Sequence, residues 1–225
     1  MANETFEPQY SIYFDTQKKF GNATLGLSSN NTWQLDSSRL TYMLSRYKFV
    51  SRMFKNYKNV LEIGCGDGFA SKIVADQVQN LNLCDIDPIL ITDAKRINTK
   101  DNVDFTIKDY VEGFIDCKFD GIYALDVLEH ISPSDERSFL ANIIESLDNN
   151  GVLILGMPSL ESQKYASDAS RLGHVNCKSA PDFKILLDSF FHNVFIFSMN
   201  DEVLHTGFFG MSHYILALAT GPKTK

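Results

Sequence analysis

Val60-Leu61-Glu62-Ile63-Gly64-Cys65-Gly66-Asp67-Gly68-Phe69 is an apolar, strand-like run that enters three glycines directly and leaves them in a segment of helical pattern. Glycines at such a turn permit positive φ and let a ligand lie against bare backbone, with no Cβ between them. A strand, a glycine turn and a helix in that order open a nucleotide-binding unit of the open α/β type.

On either side of the turn the same alternation continues. Short apolar runs at residues 59–64, 81–86, 103–107, 119–126 and 151–157 are separated by helix-length stretches at 69–78, 88–97 and 133–147. That order implies an α/β domain with a parallel sheet. Pro88 opens one of these helices. Ser132-Pro133 reads as a cap with proline at the first helical position, and Asn149-Asn150-Gly151 as a stop. Beyond them, a helix over 181–189 and strands over 193–199 and 212–219, joined by a polar loop with Gly207 and Gly210, imply an antiparallel pair closing one sheet edge. Residues 37–57 place Leu40, Met43, Leu44, Tyr47, Val50 and Phe54 close to helical spacing, and residues 1–36 read as an irregular, aromatic-rich flap. The division expected is an arm and cap helix over 1–57 and a catalytic domain over 58–225.

The glycine spacing discriminates between cofactors. It is G-x-G-x-G, whereas a dinucleotide fold uses G-x-G-x-x-G, whose last glycine would fall at Phe69. A dinucleotide rests its pyrophosphate on the helix N-terminus, but S-adenosylmethionine (SAM) has no phosphate and needs backbone contacts to its amino-acid part. Asp85, 21 positions past Gly64, is placed to accept both hydroxyls of an adenosine ribose. Asp109 is placed for the adenine amino group, with Tyr110 or Ile86 against the ring, and Asp87 for capping the helix at Pro88.

Over residues 59–160 the chain resembles the class I SAM-dependent methyltransferases. LEIGCGDG (61–68), LCDIDP (83–88), KFDGIYALDVLEHI (118–131) and LDNNGVLILGMPS (147–159) correspond to their successive strand motifs, with Asn149-Asn150 where the family has Pro-Gly. The resemblance implies a Rossmann-like, seven-stranded, mostly parallel sheet with an antiparallel C-terminal strand, helices on both faces and an N-terminal helical cap. It implies that Glu62 supports the loop, that Gly64, Cys65, Gly66 and Gly68 line the methionine part, that Asp85 holds ribose and Asp109 adenine, and that Asp126 faces the methyl donor.

Methyl transfer from a sulfonium requires alignment and, for a hydroxyl acceptor, removal of a proton. Candidates for that proton lie past the C-terminal ends of the strands. Asp126-Val127-Leu128-Glu129-His130 follows the fourth strand, and in a helical turn positions 126, 129 and 130 share a face. His174 lies between the fifth strand and the next helix. His130 and His174 are therefore the expected catalytic residues. The segment is similar to the E-x-x-E-H motif of ubiquinone-type O-methyltransferases and small-RNA 2′-O-methyltransferases, in which it holds a magnesium-like ion. With the shorter Asp126 at the first position, no metal is the preferred reading, and a divalent site of Asp126, Glu129, His130 and His174 is the second. His205 could reach the substrate side, while His192 reads as a surface residue.

The remaining properties bound the function. A charge of −7 and the absence of any basic cluster beyond Lys18-Lys19 and Lys95-Arg96 argue against a phosphate-tracking surface, so no nucleic-acid partner is expected. No apolar run approaches the ~20 residues a membrane helix needs, so no membrane partner is expected. Cys65, Cys84, Cys117 and Cys177 form no C-x-x-C pair and read as reduced thiols of a cytoplasmic protein. The expectation is methyl transfer from SAM to a small-molecule hydroxyl: a sugar, a polysaccharide precursor or a quinone-like phenol. The C-terminal part is similar to methyltransferases of bacterial surface polysaccharide. The alternatives are a non-catalytic SAM-binding protein and an NAD-dependent oxidoreductase.

Overall fold

A computed structural model of the chain describes residues 6–223. The first five residues of the expected arm lie outside the described residues. Along the chain come α1 (Ser11–Phe20), α2 (Leu27–Leu35), α3 (Ser38–Met53), β1 (Asn59–Ile63), α4 (Lys72–Ala75), β2 (Asn80–Asp85), α5 (Pro88–Ile97), β3 (Val103–Ile107) and β4 (Phe119–Leu125). They are followed by α6 (Glu136–Ser146), β5 (Leu147–Pro158), α7 (Asp168–Gly173), α8 (Ala180–Asp188), β6 (Phe191–Asn200), β7 (Val203–His205) and β8 (Tyr214–Pro222).

The described strands form one sheet in the order β3-β2-β1-β4-β5-β8-β6-β7. The pairs from β3 through β5 are parallel, and β8 enters antiparallel between β5 and β6. β4 is apolar almost throughout because both its faces are covered. On one face, Phe139, Leu140 and Ile143 of α6 and Phe183 and Leu187 of α8 pack on Leu61, Ile122 and Leu153. On the other, Tyr47 and Val50 of α3 with Phe54 at its end, Val74 of α4 and Ile91 of α5 pack on Val60, Leu83 and Tyr123. The Rossmann-like sheet with helices on both faces is thus as the sequence implies, with a three-residue eighth strand, β7, added at the edge where a polar loop was expected.

The chain runs from β1 to β2 and β3 on one side, then crosses to β4 on the other. Ligands of open α/β sheets bind where the order reverses, at the carboxyl ends of the strands. Here that crevice lies between β1 and β4.

Several elements differ from expectation for local reasons. The helix expected over 69–78 is reduced to α4, because Ile73 and Val74 donate to Ala70 and Ser71 three residues back, which spends the preceding residues in tight turns. α6 begins at Glu136: Ser132 Oγ donates to the Asp135 carboxylate and the Asp135 N–H to Ser132 O, so the expected cap closes a turn before the helix. The expected stop at 149–151 lies inside β5. The flap expected to be irregular forms α1 and α2. α5 starts as read, with Asp87 accepting from the Ile89 N–H at 2.8 Å and Pro88 in the first turn.

Candidate active site

At the end of β1 the backbone turns through Gly64 at φ +74° and Gly66 at φ +56°. A Cβ on Gly64 would stand 2.3 Å from Val127 Cγ2, whereas one on Gly66 would meet nothing nearer than Ser28 Oγ at 3.8 Å. Gly64 is therefore required by close approach of the β4 loop, and Gly66 leaves an open cradle over the turn. Asp85, at the end of β2, is 7% exposed. Its Oδ2 accepts from the Gly66 N–H and its Oδ1 from the Asp87 N–H, both at 2.9 Å. Each oxygen keeps acceptor capacity on a carboxylate whose direction is already set. Gly64, Asp85, Ile86, Asp109, Tyr110 and Val127 enclose a slot of about 90 Å³. Ile86 stands open at its mouth, 62% exposed, while Tyr110 is buried beneath with its hydroxyl 3.0 Å from Ser146 Oγ.

Glu62, on β1 just before the turn, faces α3. It is 1% exposed and accepts from Tyr47 Oη of α3 and Tyr123 Oη of β4, each at 2.6 Å. Burial pushes its carboxyl up to about 7, against hydrogen bonds that favour the charged form. Cys65 is buried within the turn and its thiol is raised by burial, so it contributes backbone and bulk and no nucleophile. The arm closes over the same turn. Ser29 of α2 donates from both N–H and Oγ to Asp67 Oδ2, the Leu27 N–H donates to Asp93 Oδ2, and a Cβ on Gly26 would overlap Asp67.

The reactive face follows β4. Asp126 adopts φ +58°, a left-handed conformation that asparagine and aspartate tolerate better than most residues. Its Oδ2 takes the Arg46 Nη1–H at 2.8 Å, and the Arg46 guanidinium lies 3.6 Å over the Tyr214 ring. Leu128–His130 then forms a single 3-10 turn. Glu129 is wholly buried and its two carboxyl oxygens find no hydrogen-bond partner among the described residues. Burial, and then the charge of Asp126, push its carboxyl well above the ordinary carboxylate range. The backbone oxygen of Glu129 accepts from the Val175 and Asn176 N–H groups, which draws the His174 loop against it. The His130 and His174 rings lie 5.2 Å apart, and one ligand atom each from Glu129, His130 and His174 fall within 4.8 Å of one another. Burial and the neighbouring His130 ring hold the His174 imidazole below its ordinary range, hence neutral at pH 7.

Three of the four residues of the second, metal reading are thus brought together. Asp126 does not join them, because the Arg46 guanidinium holds its carboxylate. His205 is turned back on its own loop, its Nδ1 accepting from the Gly207 N–H. Arg46 and Gln163 were missed by the sequence reading. Arg46 carried a signal: it falls four residues before Val50, on the helix face that buries Val50 completely. Gln163, whose Oε1 lies 2.9 Å from His174 Nδ1, carried none.

Comparisons with known proteins point to methyltransferases. A family model described as "Methyltransferase domain" matches residues 61–153. The chain is 29% identical over 136 residues to the mitochondrial ubiquinone biosynthesis O-methyltransferase of Schizosaccharomyces pombe, an alignment that covers 55% of this chain and 49% of that protein. The chain therefore spans about half the length of this curated relative. Among solved structures it resembles the N-methyltransferase NodS of Bradyrhizobium japonicum, bound to S-adenosylhomocysteine, with TM-score 0.62, 22% identity and coverage of 94% and 98% of the two chains. It also resembles the plantazolicin methyltransferase BpumL, in complex with the same product, with TM-score 0.66, 16% identity and coverage of 86% and 88%. At such identities the likeness is one of fold.

The Rossmann-like fold, the glycine turn and the segment over residues 61–153 resemble those of a SAM-dependent methyltransferase domain. The residues present fit its cofactor: an open cradle over Gly66, a buried carboxylate at Asp85, and a slot edged by Ile86 and Asp109. The third glycine of a dinucleotide G-x-G-x-x-G, which lets helix and strand pack closely, would fall at Phe69. No helix among the described residues is long and apolar enough to cross a membrane.

Proposed function

We propose that this chain methylates a hydroxyl group of a small-molecule acceptor, with SAM as donor and His174, assisted by His130, as the proton acceptor. When bound, SAM supplies a methyl group already activated on a sulfonium. The acceptor oxygen forms the new C–O bond as the C–S bond breaks and its electron pair stays on sulfur, while the hydroxyl proton passes to imidazole. An amine with a free lone pair needs no such base before attack, and a hydroxyl does. The observation that carries this reading is the pair of imidazoles beside Glu129, one of them neutral at pH 7, just past the end of β4. The printed name of the Schizosaccharomyces pombe relative supports oxygen as the acceptor atom.

Within the chain, Gly64 and Gly66 would seat the methionine part, Asp85 the ribose, and Asp109 with Tyr110 and Ile86 the adenine, while Gly68, expected to line the methionine part, is buried where a Cβ would meet Asn98, Ala94 and Leu83 and so lets α5 pack on the turn.

The test is S-adenosylhomocysteine release from SAM with a panel of phenols, sugars and amines, for the wild type and for His174→Gln and His130→Gln. A phenol or sugar should turn over, and His174→Gln should lower kcat by about 10²–10³ while SAM affinity is unchanged. Turnover of amines alone, or full activity of both variants, contradicts the reading. EDTA should leave the rate unaltered; a loss restored by Mg²⁺ would assign Glu129, His130 and His174 to a cation instead.

A further inference from the structure

Hydrogen-bond complementarity around His174 fixes a detail that its position alone does not. Gln163 sits in the turn Leu160–Tyr165 that follows β5. Its Nε2 lies 3.2 Å from Ser159 O and 3.4 Å from Ser162 Oγ. Ser159 O is a carbonyl and can only accept, and Ser162 Oγ commits its own proton to that same carbonyl at 2.8 Å, which leaves its lone pairs for Gln163. The amide nitrogen must therefore face Ser159. A flipped amide would set oxygen against oxygen. The other end of the group, Oε1, then points at His174 Nδ1 at 2.9 Å, and as an acceptor it requires that Nδ1 carry the hydrogen.

We infer that Gln163 is a positioning residue for methyl transfer, locking His174 in the Nδ1–H tautomer so that Nε2 presents its lone pair to the acceptor hydroxyl. The partner histidine is set the same way: His130 Nδ1 stands 2.9 Å from Gly173 O, a carbonyl that can only accept. Which nitrogen of an imidazole is free for chemistry is decided by the hydrogen bond the other one makes. Unrestrained, the imidazole of histidine prefers the Nε2–H form, in which the nitrogen needed as base is already protonated. The loop carrying His174 is held in place independently of Gln163. Asn176 Nδ2 and Lys178 Nζ both donate to Glu136 Oε2, at 2.8 and 2.7 Å, and the Val175 and Asn176 N–H groups donate to Glu129 O. Removing the Gln163 amide therefore releases the tautomer and leaves the loop anchored.

The inference rests on the reading of His174 as the base, but its test does not depend on turnover. Chain labelled with ¹⁵N-histidine is measured by two-bond ¹H–¹⁵N correlation at a pH above imidazole titration, with His174→Ala used to assign the signals. Wild type should show His174 protonated at Nδ1 with a lone pair on Nε2. Gln163→Leu should return it to a mixture in which Nε2–H predominates. Gln163→Glu, which keeps the acceptor, should retain Nδ1–H and move the acid limb of the pH–rate profile upward by about one unit, because the new carboxylate favours imidazolium. Kinetically, Gln163→Leu should lower kcat about tenfold with the KM for SAM unchanged. An Nε2–H tautomer in the wild type, or an unaltered tautomer in Gln163→Leu, overturns the assignment. A correct tautomer without product formation on any acceptor overturns the base reading instead.

Discussion

Gly64 shows how much a single side chain can decide. Its φ of +74° alone would cost an alanine about 1–2 kcal/mol, and a methyl group 2.3 Å from Val127 Cγ2 adds an overpacking cost of about 1–3 kcal/mol. Gly64→Ala is expected to destabilise the chain by roughly 2–4 kcal/mol in denaturant titration and to weaken SAM binding, since the displaced Val127 lines the slot beside Asp85. An unchanged midpoint would show that the β4 loop is not packed against the turn. The turn and Asp85 were legible because their information is local: glycine spacing and a carboxylate at a strand end need no knowledge of the rest of the chain. Arg46 and Gln163 were not, because what defines them is a partner on another element. Asp126 is 80 positions from Arg46, and His174 is approached only after the turn at Leu160–Tyr165 folds back on the loop. A periodic pattern marks a residue as facing inward; it does not name what it meets there.

At the scale of elements, α3 is tied to the sheet by a buried acid shared between two tyrosines. Glu62 carries a folded-state value of about 7 against an ordinary 4.5, so the folded chain binds this proton more tightly than the unfolded one. Its contribution is therefore fully present below about pH 4.5 and is lost as pH rises through about 7. The spread corresponds to roughly 3 kcal/mol at about 1.36 kcal/mol per unit. Unfolding titrations at pH 5 and pH 8 should show this loss in the wild type and its disappearance in Glu62→Gln; equal slopes in the two proteins would place the titration elsewhere. Among the groups near Glu62, Tyr47, Tyr123 and the Cys65 thiol do not complicate the window, because burial drives all three up out of it. Elements whose burial is periodic, α3, α5 and the central strands, were readable from sequence to within a few residues. α1 and α2 were not, because α1 buries no residue and α2 buries only Ser29, leaving no apolar stripe to read. What orders α2 is polar: Ser29 on Asp67, and Leu27 on Asp93.

The whole molecule follows from one topological fact, the reversal of strand order at β1. It sets the carboxyl ends of β2, β1 and β4 side by side, so that Asp85, the turn at Gly64–Gly68 and the segment from Asp126 to His130 follow neighbouring strands although they are far apart in sequence. The sheet order was legible because alternating strands and helices leave few ways to build a parallel sheet, whereas the identity of the acceptor is written in loops whose packing no local pattern dictates. The central claim, that Gly64, Gly66 and Asp85 form a SAM site, is tested most directly by isothermal titration calorimetry of SAM, S-adenosylhomocysteine and NADH on the wild type and on Asp85→Ala. The account predicts saturable binding of both sulfur nucleosides, none of NADH, and a loss of affinity of about tenfold or more in Asp85→Ala, where charge-assisted hydrogen bonds to the ribose are removed. Binding of NADH in preference to SAM, or SAM binding indifferent to Asp85→Ala, would contradict it.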